Sequence, residues 1–329
     1  MAQEQEPQKN PTNAQSAAPE EPVRVNHTAR NIIIALVVVV LVVAGVLVGV
    51  HVKNSGKNAA KGTKDNPVVI GVIGATDKQW PVLQQKAEEQ GIYVTIQDFQ
   101  DYAAVDKALA AGQIDLNEIQ HILYLANFNE KNNTDLQPIG GTAVYPLGLY
   151  SSKYKSVDDI QAGDTIAIPN DETNQARAIG VLKSAGLITL KDDWTAFSTP
   201  ADIDTDKSKV KVTTLDGNKI AHSLSDSQIA AGVINNDYVE DAGLKPTDAL
   251  YQDSADTEEA HPYINIWAAR KEDANNELYL KIAKLSADPD VENALQEQSG
   301  GSASLADNYT PEQLQQILAD LQKQIESQE

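Results

Sequence analysis

The sequence predicts an α/β protein of two lobes, preceded by a single N-terminal transmembrane helix. Three observations carry that expectation. Ile32 to Val50 is an uninterrupted apolar run; short apolar runs alternate with helical patterns from Pro67 onward; and an extended stretch, Leu136 to Tyr150, interrupts the alternation with Gly140-Gly141 and Pro146. With 329 residues the chain is long enough for two separate cores.

Residues 1–30 are rich in Gln, Pro, Asn, Ala and Glu without apolar periodicity, the composition of a disordered tail. The 19 residues from Ile32 to Val50 hold only Ile, Leu, Val, Ala and Gly. As a helix they span roughly 28 Å, close to the hydrocarbon thickness of about 30 Å, so 31–52 is expected to be a membrane anchor. A cleaved signal peptide fits less well. Its apolar region is shorter, about 7–15 residues, and it ends in a small-x-small site, whereas His51-Val-Lys follows here. Residues 53–66, with their Lys, Gly, Ser and Ala, read as a flexible tether. Four lysines follow the span and two arginines precede it, a count that by itself puts the large domain in the cytoplasm.

Beyond the tether, Pro67 to Gly74 and Ile92 to Phe99 read as strands, with a helix from Trp80 to Gln90 between them. A short helix from Ala103 to Ala111 leads to a third strand at Ile114-Asp115, so the opening is βαβαβ. The first crossover between lobes is expected just after Tyr150, giving lobe 1 as 67–150 with 256–329 and lobe 2 as 151–255. In lobe 2, Thr165 to Pro169 is a strand, Asn174 to Ala185 a helix stopped by Gly186, Lys209 to Leu215 a strand, His222 to Gln228 a helix and Ala230 to Asn235 a strand. Pro262 to Arg270 is a further strand. At the C-terminus Thr310-Pro-Glu-Gln313 forms a capping box before a helix whose Leu314, Ile317, Leu318, Leu321 and Ile325 share one face. That face is expected to dock on lobe 1, with a partner helix as the alternative.

Candidate site residues come from polar groups in apolar settings. In Asp115-Leu-Asn-Glu-Ile-Gln-His-Ile-Leu-Tyr-Leu125, a polar loop running into an apolar helix places His121 and Tyr124 one turn apart on one face. Arg177 falls in the first turn of its helix, where the dipole disfavours a cation. Two readings stay open: an anion site among free N–H groups, or a pair with Asp171 or Glu172. Asn235 ends a strand, where ligands of open α/β sheets bind. Asn265 interrupts an apolar strand, and its amide needs either backbone or ligand partners.

Several chemistries are excluded. The absence of cysteine removes thiolate catalysis, disulfides, cysteine-ligated zinc and lipid attachment to cysteine. Residues 65–329 carry 19 basic against 43 acidic residues, a net of −24 that repels nucleic acid. Gly71 and Gly74 do not make a dinucleotide fingerprint, and there is no phosphate loop, metal-spaced histidine pair or nucleophile elbow. Asp202-Ile-Asp-Thr-Asp206 fails the calcium-loop pattern at Lys207 and Thr213. No cofactor, metal or catalytic residue is expected, and the chain reads as a binding protein rather than an enzyme.

With these segments placed, the chain from about Val68 to Asp290 resembles the methionine-binding (NlpA-type) lipoprotein family, the substrate-binding components of methionine ABC importers. The likeness is carried by Asn117-Glu-Ile-Gln-His-Ile-Leu-Tyr-Leu125, Pro146-Leu-Gly-Leu-Tyr-Ser151, Ile166-Ala-Ile-Pro-Asn-Asp-Glu-Thr-Asn-Gln-Ala-Arg177, Ala185-Gly-Leu-Ile-Thr-Leu-Lys-Asp192, Val233-Ile-Asn235 and Tyr263-Ile-Asn265. The resemblance implies a periplasmic-binding-protein-like (type II) fold with the ligand between the lobes. It also implies that Arg177 takes the ligand carboxylate and that Asn235 and Asn265 hydrogen-bond the amino-acid backbone; Asn174 is expected among the ligand-binding residues. Tyr102, His121 and Tyr124 would line the side-chain pocket. Ile119 replaces the family's aromatic, making one wall aliphatic and leaving a methionine-containing dipeptide or another apolar amino acid as an alternative ligand. The resemblance implies an ABC permease and its ATPase as partners and an extracytoplasmic binding domain, against the lysine count. It lacks the family's lipid-anchored cysteine, which the Ile32–Val50 segment would replace. The rival function is a surface adhesin or sensor on the same fold.

Overall fold

The computed structural model describes residues 59–255 and 258–328. The expected tail, the anchor at Ile32–Val50 and the first part of the tether lie outside them. Among the described residues no helix is long and apolar enough to cross a membrane. The described part of the tether is not a free linker. Gly62 N–H donates to Asn66 O (2.8 Å), Tyr93 N–H donates to Gly62 O (2.8 Å), and Lys61 pairs with Asp115 at 2.5 Å. Residues 59–66 therefore form a turn built onto the first lobe, which corrects the boundary of the tether.

The first lobe grows from strand β1 (Val68–Ile73), helix α1 (Gln79–Glu89), β2 (Val94–Phe99), α2 (Tyr102–Ala110), β3 (Leu116–His121), α3 (Ile122–Asn132) and β4 (Leu136–Gly141). Its sheet runs β2-β1-β3-β11-β4, where β11 is Asn265–Arg270 returning from the second lobe. β1 is parallel to β2 and β3, while β11 is antiparallel to both neighbours. Val68, Ile70 and Val72 are fully buried between the covering helices. Gly71 lets α2 close onto β1, since a Cβ there would stand 2.8 Å from Val105 Cγ1 of that helix.

The second lobe has its own sheet, ordered β10-β6-β9-β7-β8. Its strands are β6 (Gly148–Tyr150), β7 (Thr165–Pro169), β8 (Lys211–Leu215), β9 (Ala231–Ile234) and β10 (Tyr251–Gln252). Helix α4 (Glu172–Ser184) ends at Gly186, which takes the left-handed φ of 71° a C-terminal stop requires. A separate core of Leu149, Ile166, Ile168, Ile179, Leu182 and Val233 lies around this sheet.

Four sequence expectations need correction. The first crossover lies before Gly148, not after Tyr150, because Gly148, Leu149 and Tyr150 pair with Ile234, Val233 and Gly232 of the second sheet. The helix expected at His222 to Gln228 is α5 (Gly217–Ser223), which places Ile220 and Ala221 in the core. The strand expected from Pro262 begins at Asn265, since proline has no N–H for the ladder and closes a 3₁₀ turn, Glu258–Tyr263. Most consequentially, Leu116 to His121 is no loop but the third strand, while Ile114-Asp115, where that strand was expected, belongs to the turn before it. Asn117 and Gln120 are buried and both donate to Asp106 Oδ1, at 2.8 and 2.7 Å, so a polar network inside the lobe gives a central strand a loop-like composition.

The chain finishes with α6 (Glu277–Lys284), α7 (Pro289–Gln298), a short strand pair between β12 (Ser304–Leu305) and β5 (Ala143–Val144), and α8 (Pro311–Glu326). The expected capping box is present: Gln313 N–H donates to Thr310 Oγ1 (3.3 Å) and Thr310 N–H to Gln313 Oε1 (2.8 Å). Leu314, Leu318, Leu321 and Ile325 are buried, Ile317 partly so, and the face packs on α3 and β4 as expected.

Candidate ligand-binding site

The loops at the facing ends of the two sheets bring together every residue singled out from the sequence. Tyr102, Ile119, His121, Tyr124, Asn174, Arg177, Asn235 and Asn265 all line one cavity of ≈ 30 Å³, room for a few waters. Each arrives by a short local route. Tyr102 opens α2, Ile119 and His121 close β3, Tyr124 sits in the first turn of α3, and Asn265 opens β11 directly opposite His121. From the second lobe, Asn174 lies in the first turn of α4 and Asn235 follows β9.

His121 is the last residue of its strand and the N-cap of α3, not a residue within a helix. Its Nδ1 accepts from Tyr124 N–H at 3.1 Å, which fixes the tautomer: Nε2 carries the proton and faces Asn174 Oδ1 at 3.2 Å. Burial, then the nearby Arg177 charge, push its pKa down to about 3, so the ring is neutral. Asn174 Oδ1 also accepts from Asn235 Nδ2 (2.9 Å), and Asn174 Nδ2 turns back to the N-cap Asp171 (3.1 Å). One amide thus ties the first lobe to two points of the second. Among the described residues Asn265 Nδ2 has only a long contact to Tyr263 O, 3.4 Å, and the buried Asn235 Oδ1 has no partner. Tyr102 packs edge-on against Tyr124 (5.6 Å) and at a tilt against Tyr238 (5.4 Å), forming the aromatic wall that Ile119 continues.

Arg177 departs from both sequence readings. Because α4 starts at Glu172, it lies in the second turn, away from the free N–H groups, and it pairs with neither Asp171 nor Glu172. Its Nε and Nη2 donate to the two oxygens of Asp253 at 2.7 and 3.1 Å, Nη2 also to Tyr145 O at 2.8 Å. The guanidinium lies 4.3 Å from the centre of the Tyr263 ring. Among the described residues no acceptor takes Nη1. Asp253 Oδ1 accepts in addition from Leu147 N–H (2.7 Å), so the carboxylate joins both crossover strands to the arginine. A larger groove of ≈ 710 Å³, lined by Trp194, Tyr251 and Tyr263, adjoins the cavity along this arginine.

The profile of the NlpA lipoprotein family matches residues 68–306. The chain belongs to the NlpA lipoprotein family. The D-methionine-binding lipoprotein MetQ of Yersinia pestis is 34% identical over 241 residues, covering 72% of this chain and 88% of that protein. Two solved structures align closely. The substrate-binding protein of a methionine transporter from Streptococcus pneumoniae has a TM-score of 0.67 at 33% identity, over 73% of this chain and 95% of that one. A nutrient-binding protein from Burkholderia cenocepacia bound to methionine has a TM-score of 0.67 at 33% identity, over 73% and 99%.

The sequence reading of this NlpA-family chain missed Asp237, Tyr238, Tyr145 and Asp253 at the site. Asp237 stood within reach, since Asn235-Asn236-Asp237 ends a strand as a polar cluster. Tyr102 Oη donates to Asp237 Oδ2 at 2.6 Å across the lobes. Asp253 carries no periodic signal at all, lying in an irregular crossover.

Buried and half-buried acids give the protein a pH signature. Burial pushes Glu118 up to about 8 and Asp106 up to about 7, and burial followed by repulsion from Asp237 and Glu240 raises Asp77 to about 7. These groups hold protons more tightly folded than unfolded, so their contribution is complete below about pH 4 and is lost as pH rises through about 7 to 8. His121 acts oppositely, destabilising the fold only as pH falls from 6.5 toward about 3. Between pH 6.5 and 8.5 only the acid effect operates. The expected result is a fall of about 1–3 kcal/mol in unfolding free energy over that range, read from urea midpoints. Glu118→Gln should flatten the profile, and a flat wild-type profile would refute the assignment.

Proposed function

We propose that this protein captures a small apolar amino acid, methionine or a close analogue, between its two lobes and delivers it to an ABC permease and its ATPase. It would work as a binding protein of the type II architecture, without catalysis of its own. The observation that carries the reading is convergence: a guanidinium edge, three carboxamides and an aromatic wall from both lobes meet at one cavity. In this arrangement Arg177 Nη1 receives the ligand carboxylate, Asn235 and Asn265 hydrogen-bond the backbone, and Asn174 links them to His121. The side chain lies along Tyr102, Tyr124 and Ile119, where a thioether packs well against ring edges. Ligand contacts made to both lobes at once favour the closed form.

The relatives' names support methionine: they are described as methionine-binding and as parts of methionine transporters. The Ile32–Val50 run supports attachment by a single membrane span, with the binding domain outside the membrane as the lipoprotein relatives imply. A thermal-shift screen of L- and D-amino acids and methionine-containing dipeptides tests the ligand. At about 100 times Kd a true ligand adds about 2.7 kcal/mol, which raises Tm by about 5 °C or more. Methionine is expected to lead the screen. A protein left unshifted by every member would be an adhesin or sensor that keeps the fold without the site.

A further inference from the structure

A sealed polar cluster stands behind the ligand cavity. Gln120 lines that cavity between Ile119 and His121 on β3, and its Nε2 donates to Asp106 Oδ1 on α2 at 2.7 Å. Asn117 Nδ2 donates to the same oxygen at 2.8 Å, and Gln120 Nε2 makes a longer contact to Asn117 Oδ1, 3.4 Å. Solvent reaches none of the three: Asp106 and Asn117 are 0% exposed and Gln120 is 3% exposed. Two atoms are left over. Asp106 Oδ2 and Gln120 Oε1 are buried, and among the described residues neither has a hydrogen-bond partner. They belong to the same two groups that already share a bond through their other atoms. A carboxylate here would set a full charge among buried side chains with only two neutral amides to answer it, which is costly. One proton satisfies both leftover atoms. A carboxylic acid and a carboxamide can close a ring of two hydrogen bonds, amide N–H to one carboxyl oxygen and acid O–H to the amide oxygen.

We propose that Asp106 is a neutral carboxylic acid in the folded protein, that its Oδ2 proton is donated to Gln120 Oε1, and that this acid–amide pair positions one wall of the ligand cavity against another. Asp106 touches no ligand and acts through its neighbours. It follows Tyr102 by one helical turn on α2, a spacing that puts both on one face, while Gln120 sits between Ile119 and His121. The pair therefore sets how far the Tyr102 ring stands from the aliphatic and imidazole walls, and so the width of side chain the cavity accepts. That consequence rests on the reading of the cavity as an amino-acid site. Burial raises the Asp106 carboxyl to about 7, against the opposing pull of the two amide bonds. Tyr124 on α3 is the titratable group that feels its charge, and burial keeps that phenol protonated. The charged side chains on the other packed elements are engaged elsewhere. Arg270 on β11 donates to Leu109 O and Ile114 O, Glu118 on β3 accepts from Thr142, Asp98 on β2 accepts from Ala75 N–H, and Asp101 caps α2 at Ala104 N–H. Folding tightens the hold on this proton, so the pair's contribution is complete below about pH 4 and is lost as pH rises through about 7.

The test compares the full chain with Asp106→Asn and Asp106→Leu. The infrared difference between wild type and Asp106→Asn near pH 6 is expected to show the carbonyl band of a protonated carboxyl, which fades as pH rises past about 8. Carboxylate bands near pH 6 overturn the assignment. Asn offers an N–H where the acid has its O–H, so Asp106→Asn should keep the wild-type urea midpoint near pH 6 and lose less of it by about pH 8.5. Leu fills the space with neither donor nor acceptor, and its midpoint should fall at both pH values. An Asp106→Asn chain that fails to fold, or that weakens with pH as steeply as wild type, overturns the shared proton. Methionine calorimetry reads the positioning: Asp106→Asn should bind within about 3-fold of wild type and Asp106→Leu about 10-fold or more weakly. Folded Asp106→Leu with wild-type affinity overturns the positioning role. Should that variant not fold, Gln120→Met replaces it. Loss of the amide should shift the acid's carbonyl band, and an unmoved band overturns the pair. A wild type that binds no methionine removes the amino-acid reading but not this one, because the infrared and urea results stand without ligand. Positioning is then read from the near-ultraviolet circular dichroism of the Tyr102, Tyr124 and Tyr238 cluster. That signal should be kept in Asp106→Asn and lost in Asp106→Leu; its survival in the latter overturns the role.

Discussion

Arg177→Ala is expected to abolish methionine binding in calorimetry and, separately, to lower the stability of the unliganded protein by about 2–4 kcal/mol. The two losses have different causes. Binding fails because Nη1, the guanidinium edge that no described residue occupies, disappears along with the counter-charge for a carboxylate. Stability falls because Asp253 keeps its charge without the partner that held both its oxygens. Breaking a fully buried pair costs about 3–5 kcal/mol, and the Asp253 side chain, 26% exposed, recovers part of that through water. The double variant Arg177→Met with Asp253→Asn distinguishes the effects. The Asn oxygen preserves the bond from Leu147 N–H, the uncompensated charge is gone, and most of the stability should return while binding does not. Affinity unchanged in Arg177→Ala would remove the carboxylate site from this cleft.

That arginine also shows what could be read from the sequence. Its presence at the site was legible, because a cation early in a helix opposes the helix dipole and asks for an explanation. Its partner was not. Asp253 lies 76 positions further along, in a crossover with no repeating pattern, and only the return of the chain between lobes brings it near. The same limit explains the misplaced first crossover: Gly148 to Tyr150 reads as extended whichever sheet it joins, and the pairing with β9 decides. Strands of purely apolar residues were found within a residue or two. β3 was placed too early, at Ile114-Asp115, because the amide donors of Asn117 and Gln120 are taken up by Asp106, a solution invisible until α2 is packed beside it. His121 and Tyr124 nevertheless share a space as expected, since the spacing from N-cap to first turn on a helix is the same three residues.

The family correspondence ends at residue 306, yet the largest stability effect is expected just beyond it. Ending the chain before Thr310 removes α8 and with it Leu314, Leu318, Leu321 and Ile325, all buried on α3 and β4. At about 1.5–3 kcal/mol per buried side chain the loss is about 6–12 kcal/mol as an upper bound. That is comparable to the entire stability of an ordinary protein, about 5–15 kcal/mol. The exposed surface would be apolar and contiguous, including the side of α3 whose first turn carries Tyr124 and whose N-cap is His121. Shortened protein is therefore expected to aggregate or to melt without cooperativity by circular dichroism. Leu318→Ala, leaving the capping box and the Gln322–Glu130 hydrogen bond in place, should cost about 2–5 kcal/mol while retaining ligand binding. A shortened chain that melts cooperatively within about 1 kcal/mol of the full chain would show that the helix merely rests on the lobe. Failure of the shortened chain alongside tolerance of Leu318→Ala would instead mark α8 as a structural part of the ligand-binding lobe.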